Sequence, residues 1–140
     1  METIKIQQTT YEPALEKLLM HELNSAAIKA TGIDGWDPER IVFSARSGED
    51  IIGAIVVQII YSQLHIEYML VLDKHRNQGI GSRLMQTALK YGKDNACTFA
   101  YLETLSFQAP EFYEKMGFKR EFSRAGFAGG VLFHYYRREI

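Results

Sequence analysis

The 140-residue chain is short of several things that would fix a function class at once. It has one cysteine, Cys97, which excludes an internal disulfide and suits a reducing compartment. That cysteine reads as a small apolar side chain entering a strand rather than a reactive thiol. The formal net charge is only −1, with Lys and Arg scattered apart from Arg137-Arg138. A nucleic-acid binder would show a basic face, so no nucleic-acid partner is expected. The longest apolar run, Ile51 to Tyr61, is interrupted by Gly53 and Gln58 and is too short to span a bilayer. The opening residues hold Glu2, Lys5 and glutamines rather than an apolar leader, so a cytoplasmic protein with no membrane partner is expected. The histidines stand far apart at 21, 65, 75 and 134, and none makes a metal-ligand spacing with Cys97; no metal is expected. Repeats, linkers and low-complexity stretches are missing too. What remains is 46% apolar and 24% charged, an ordinary composition for one globular domain over residues 1–140.

The pattern along the chain is α+β. Thr3 to Gln7 alternates polar and apolar residues and predicts a half-buried strand. Thr9 or Thr10 can cap a helix with Pro13 in its first turn, and Leu15, Leu18, Leu19 and Leu23 repeat at helical spacing up to Thr31-Gly32. Residues 31–38, with Trp36 and Pro38, read as a loop. Ile41 to Arg46, Ile51 to Tyr61 and Leu64 to Leu72 are β-rich and separated by the short turns 47–50 and 62–63, an antiparallel meander. The period then changes. Leu84, Met85, Ala88 and Leu89 line one helix face, which is predicted to stop near Gly92. Phe99 to Glu103 follows as a strand and Pro110 to Met116 as a short helix. Phe118 to Arg124 and Val131 to Arg137 close the chain as a hairpin around a glycine-rich loop.

Between the third meander strand and its following helix lies Arg76-Asn77-Gln78-Gly79-Ile80-Gly81, with Ser82 next. A strand, a tight glycine turn and a helix in that order aim several backbone N–H groups at one spot before a positive helix end, which makes an anion cradle. A dinucleotide fingerprint would need a third glycine where Leu84 stands, and no Gly-Lys-Ser/Thr run exists for a P-loop. A surface turn with permissive glycines is the plain alternative. A second segment, Ala109-Pro110-Glu111-Phe112-Tyr113-Glu114-Lys115-Met116-Gly117-Phe118, places Tyr113 thirty-two residues after Gly81.

The first segment, R-x-x-G-x-G, resembles the acyl-CoA pyrophosphate loop of the GNAT N-acetyltransferase superfamily. The second, A-x-x-F-Y-x-x-x-G-F, resembles that family's other signature at the distance expected for it. The resemblance implies a mixed, mostly antiparallel sheet of six to seven strands flanked by about four helices, with two parallel central strands splayed apart around the cofactor. Here those strands would be the one ending near Leu72 and the one around Tyr101. Acetyl-CoA would be the donor and coenzyme A the product. The cofactor would meet Arg76, Asn77, Gln78, Gly79, Ile80, Gly81 and Ser82 at its pyrophosphate. The bulged strand end around Leu70, Val71 and Leu72 would pair with its pantetheine amides and offer an N–H to the thioester oxygen. Where many members carry an asparagine on the cofactor arm this chain has Ser106, with Gln108 nearby.

Acyl transfer to an amine needs a neutral amine, a polarised carbonyl and a proton for the leaving thiolate. An alkyl ammonium of pKa near 10 is only about 0.1% neutral at pH 7, so a proton acceptor matters. Tyr113 is the candidate acid for the thiolate; its plain alternative is aromatic packing beside Phe112. Glu67 is the first candidate base, because a carboxylate in an apolar strand is costly to bury without a partner or a chemical role; its plain alternative is a salt bridge or a solvent-facing edge. His65 and Met69 would share its face by period two, and His65 and Glu103 are further candidates. The resemblance implies direct attack without an acyl-enzyme.

The leading expectation is therefore an enzyme that acetylates a primary amine of a small molecule or peptide. A non-catalytic acyl-CoA sensor or regulatory subunit is the alternative. The aromatic run Phe133-His134-Tyr135-Tyr136 reads first as the inner strand of the final hairpin; a homodimer edge, or pairing with a partner chain as an interaction subunit, is the further alternative. By the same resemblance the acceptor pocket would draw on residues 23–38 and 125–130. Asp34, Trp36, Asp37 and Glu39 there would favour a cation, while Arg124 and Arg137 would favour a carboxylate. The acceptor's identity stays open.

Overall fold

The computed structural model describes residues 2–35 and 38–140; Trp36 and Asp37, assigned above to the acceptor loop, lie outside the described residues. Contacts divide the chain into a unit up to Asp37 and a unit from Pro38 to Ile140. The first unit is built on helix α1, Pro13–Thr31. Pro13 opens it, since its fixed φ and missing N–H suit a first helical position. The preceding residue is Glu12, which makes no side-chain cap, so the helix starts later than a Thr9 or Thr10 cap would place it. Gly32 ends it in the left-handed conformation, φ 74°, and returns its N–H to the Ile28 carbonyl. Residues 3–7 form no strand: Ile4 and Ile6 stand almost fully exposed. A five-residue alternation has little structure of its own without an edge to pair with.

The second unit is a six-stranded sheet in the order β1-β2-β3-β4-β6-β5. Its strands are β1 (Ile41–Ser47), β2 (Asp50–Ile60), β3 (Gln63–Val71), β4 (Phe99–Leu105), β5 (Lys119–Arg124) and β6 (Phe133–Glu139). Helix α2 (Ile80–Asp94) follows β3, and the short helix α3 (Pro110–Lys115) follows β4. The meander is as predicted, but its second turn is Tyr61-Ser62, both at positive φ, one step earlier than composition suggested. β6 lies between β4 and β5, so both its edges are paired and the aromatic run Phe133 to Tyr136 offers no free edge to a second copy.

α2 presents Leu84, Met85, Ala88 and Leu89 to one sheet face, where Ile55, Val57, Leu64, Ile66, Ala100 and Leu102 meet them. Gly92 does not stop this helix. It sits one turn further along the buried face, where a Cβ would stand 2.9 Å from Leu64 Cδ2 and 3.1 Å from Ile140 Cδ1. The glycine permits close approach rather than termination. Among the described residues no helix is long and apolar enough to cross a membrane.

Two features of β3 prepare the site. Its parallel pairing with β4 covers only Leu64–Ala100, His65–Tyr101 and Ile66–Leu102, after which the strands part. Directly beyond, its pairing with β2 slips: Val57 faces Ile66 and Val56 faces Tyr68, leaving Glu67 as an extra residue. This bulge sits at Glu67, earlier than the Leu70–Leu72 end expected from the sequence. A bulge reverses which residues face which side. Before it Leu64 and Ile66 face α2; after it Met69 and Val71 do, while Tyr68 and Leu70 turn outward. His65 and Met69 therefore lie on opposite faces, although simple alternation had put them together.

Candidate active site

Where β3 and β4 part, a cleft of about 940 Å³ opens. Its walls come from the bulged end of β3, the glycine turn and first residues of α2, the end of β4 and the start of α3. Of the residues expected at the site, Glu67, Leu70, Val71, Arg76, Asn77, Gly79, Ile80, Gly81, Ser82 and Tyr113 line this cleft.

The glycine turn is shaped as its sequence requires. Asn77 and Gly79 both adopt left-handed φ, 63° and 77°, and no atom stands within 4 Å of where a Gly79 Cβ would be. Gly79 caps α2 and its carbonyl accepts from Arg83 N–H, so Ile80, Gly81 and Ser82 keep the orphan N–H groups of the first turn. No side-chain cap satisfies them. Open space in front of orphan donors at a positive helix end is what a pyrophosphate needs. Gly81 also permits close packing behind the turn, since a Cβ there would press on Met69 Cε at 3.3 Å and on the Phe112 ring at 3.4 Å. Arg76 braces the loop, with Nε donating to the Val71 carbonyl at 2.9 Å and Nη1 paired to Asp73 at 2.6 Å.

The ladder fixes which β3 groups can meet a ligand. Leu72 N–H donates to the Ile52 carbonyl of β2, so it is consumed and cannot be an oxyanion donor. By antiparallel alternation Leu70 faces β2 as well, and the backbone of Met69 and Val71 faces the cleft. The Val71 carbonyl is taken by Arg76, which leaves its N–H, with the amide groups of Met69, on the open side.

Three expected contacts fall away. Leu72 and Gln78 do not line the cleft. Ser106 is turned into the β6 side, its Oγ accepting from Leu132 N–H at 3.0 Å and its own N–H donating to the Leu132 carbonyl. Gln108 does reach the cleft, but its Oε1 closes a local turn by accepting from Leu105 N–H and Thr104 Oγ1.

Tyr113 lies on α3 with its ring set against Phe112, Phe118 and Tyr136. Burial raises its phenol above the ordinary tyrosine value, which keeps the proton on the oxygen.

The carboxylates differ sharply. Glu67 is gripped by Arg40, with Nε to Oε2 at 2.8 Å and Nη2 to Oε1 at 2.7 Å. That bidentate hydrogen bond holds its carboxyl below the usual carboxylate range against the opposing effect of burial. Glu103, on β4 just past the last β3 pairing, instead receives His65 Nε2 at 2.7 Å. On the other side of the ring Gln58 Nε2 lies 3.1 Å from His65 Nδ1, so both ring nitrogens are held. His65 also stacks on Tyr101, ring centroids 4.7 Å apart. Tyr101 is raised by burial and, secondarily, by Glu103.

Sequence reasoning passed over Tyr68, His75, Thr104 and Phe107, which line the cleft too. Arg40 was missed altogether, since its partner stands 27 residues away and no local pattern joins them. Cys97 is buried, its thiol pushed up by desolvation, in keeping with a packing role.

Comparison with known proteins agrees with this geometry. Residues 3–118 match the family described as "Acetyltransferase (GNAT) family". The chain is 26% identical over 117 residues to blasticidin-S acetyltransferase of Streptomyces morookaense, covering 81% of this chain and 86% of that protein. It is 32% identical over 84 residues to rat (Rattus norvegicus) N-acetyltransferase 8B, where the match spans 54% of this chain and only 38% of the relative. An acetyltransferase from Bacillus cereus ATCC 14579 superposes with a TM-score of 0.83 at 20% identity, over 96% of this chain and 98% of that one. A protein assigned as a streptothricin acetyltransferase from Bacillus anthracis str. Ames, solved with acetyl coenzyme A, gives 0.67 at 28% identity over 74% and 64% of the two chains. With splayed strands, an open glycine cradle and a tyrosine in the second motif already in place, the chain belongs to the GNAT family of acetyltransferases.

Proposed function

We propose that the chain works as one N-acetyltransferase domain that moves the acetyl group of acetyl-CoA directly onto a primary amine in a ternary complex. The observation that carries this reading is the convergence on one cleft of an anion cradle, free strand amides, a protonated phenol and the Glu103 carboxylate, which His65 contacts from behind the lining. The cradle at Gly79 to Ser82 would hold the pyrophosphate, and the open amides of Met69 and Val71 would pair with the pantetheine arm. A β3 N–H on this side of the ladder would stabilise charge on the thioester oxygen.

The amine lone pair attacks the thioester carbon, a C–N bond forms and the C–S bond breaks. One proton leaves the ammonium and one must reach the departing sulfur. Tyr113 supplies the second, since its buried phenol retains its proton until a strongly basic thiolate develops beside it. For the first, Glu67 was the leading choice by sequence, but the Arg40 grip makes it a weak base. Glu103 has a single contact to an imidazole rather than a bidentate guanidinium, so its carboxylate has acceptor capacity left for an incoming ammonium. We assign proton acceptance to Glu103 backed by His65, and the setting of the β3 bulge to the Glu67–Arg40 pair.

A thermal melt with and without excess acetyl-CoA tests the cradle. A ligand at 100 times its Kd adds about 2.7 kcal/mol, several degrees of Tm in a domain of this size. Thiol release over a panel of primary amines, blasticidin S included because a relative is named for it, tests turnover. A melting shift with no thiol release from any amine would leave a binding protein and remove the enzymatic reading.

A further inference from the structure

The bulge at Glu67 has an effect on the sheet face opposite α2. It turns Tyr68 and Leu70 outward, where they are 65% and 55% exposed, although both line the cleft. Their neighbours Met69 and Val71 are packed under α2, so the two outward side chains support no core. Exposed apolar groups at the wall of a cleft, in place of the polar residues that a strand's open face usually carries, call for an apolar ligand. The anion cradle uses the first turn of α2 and leaves these two side chains out.

Glu103 shares their face. Ala100 and Leu102 of β4 are buried towards α2, so Glu103 alternates to the other side, as does His65, which donates to it at 2.7 Å. Tyr135 is its cross-strand neighbour on β6. Of the two carboxylates in the cleft, Glu67 is neutralised by two bonds from Arg40, whereas Glu103 has one hydrogen bond to the His65 ring. The charge arrangement therefore accepts one ammonium, beside an apolar wall.

We propose that the acceptor is a monoamine whose ammonium docks at Glu103 and whose aromatic or bulky apolar body rests on Tyr68 and Leu70. This rests on the acetyltransferase reading and narrows it. A polyamine would bring several charges to a wall that offers one carboxylate not held by a guanidinium and two apolar side chains. A short-chain amine would leave that wall wet.

The test compares 2-phenylethylamine, n-propylamine and spermidine as acceptors at saturating acetyl-CoA. The expected result is a kcat/KM for 2-phenylethylamine roughly tenfold or more above that for n-propylamine, the discrimination a hydrophobic pocket gives for a few carbon atoms. Spermidine should fall below both. Tyr68→Ala and Leu70→Ala should each shrink the ratio of the first two rates, mainly through KM, and Tyr68→Phe should restore it. Both positions are exposed, so truncation leaves the fold standing, and the acetyl-CoA melting shift in each variant verifies this. Equal rates for the three amines, or a preference for spermidine, would overturn the proposal while leaving the acetyltransferase reading intact. Turnover of no amine at all, with a normal melting shift, would remove both.

Discussion

Breaking the Arg40–Glu67 pair should cost the fold more than the chemistry. The pair is intermediate between two regimes. Glu67's side chain is only 13% exposed, but Arg40's is 65% exposed and keeps much of its water. Fully exposed ion pairs contribute about 0.2–1 kcal/mol, and a hydrogen bond to a charged group about 1.5–3 kcal/mol. Two bonds at 2.7 and 2.8 Å, with one partner desolvated, point to a coupling of about 1–2 kcal/mol. Unfolding entropy for 140 residues is about 0.3 kcal/mol per degree, so this corresponds to about 3–7 °C in Tm. Arg40 makes a further interaction, so a single substitution would mix two losses. A double-mutant cycle with Arg40→Ala, Glu67→Gln and the pair, read by urea unfolding, isolates the coupling. Because the folded carboxyl titrates below its ordinary value of 4.5, the contribution should be complete above that pH and vanish as the pH falls through the lower, folded value. Coupling below about 0.3 kcal/mol at neutral pH would refute the reasoning, as would coupling unaltered by acid. The assignment of roles would fail if Glu67→Gln reduced turnover more than Glu103→Gln.

Tyr113→Phe should lower kcat by about 10²–10⁴-fold, the usual worth of a positioned acid, and leave the acetyl-CoA melting shift in place. Gly79→Val should weaken acetyl-CoA binding measured by calorimetry, because φ 77° costs a side chain about 1–2 kcal/mol and the strain falls on the turn that caps α2. Gly92→Ala sets a helix-propensity gain of about 1 kcal/mol against contacts of 2.9 Å to Leu64 and 3.1 Å to Ile140. Leu64 is fully buried and has no room to swing, so net destabilisation of about 0.5–2 kcal/mol is expected in urea unfolding.

The sequence by itself determined whatever depends on neighbours along the chain. The meander follows from apolar runs parted by turn residues. The glycine turn follows from glycines placed between a strand and a helix, and the place of Tyr113 from a motif that contains one short helix. All of these are local, and the strands, the turn and the short helix form where the residues predicted, apart from the one-step shift of the second meander turn. Residues 3–7 show the limit of that logic: their alternation was read correctly as a pattern, yet a strand forms only if an edge receives it. The C-terminal aromatic run has the opposite history, since its place between β4 and β5 needs a topology that no window of sequence contains.

Tertiary structure alone decided the electrostatic surroundings of the carboxylates within the cleft. Glu67 looked like a base because its strand is apolar, but its charge is set by Arg40, 27 residues earlier, across the sheet. Glu103 gained standing through His65, 38 residues away on the parallel strand. The bulge that separates His65 from Met69 is a property of two strands in register and is invisible in either one. Electrostatic character depends on what lies within a few ångströms, and in a sheet those neighbours come from distant parts of the chain.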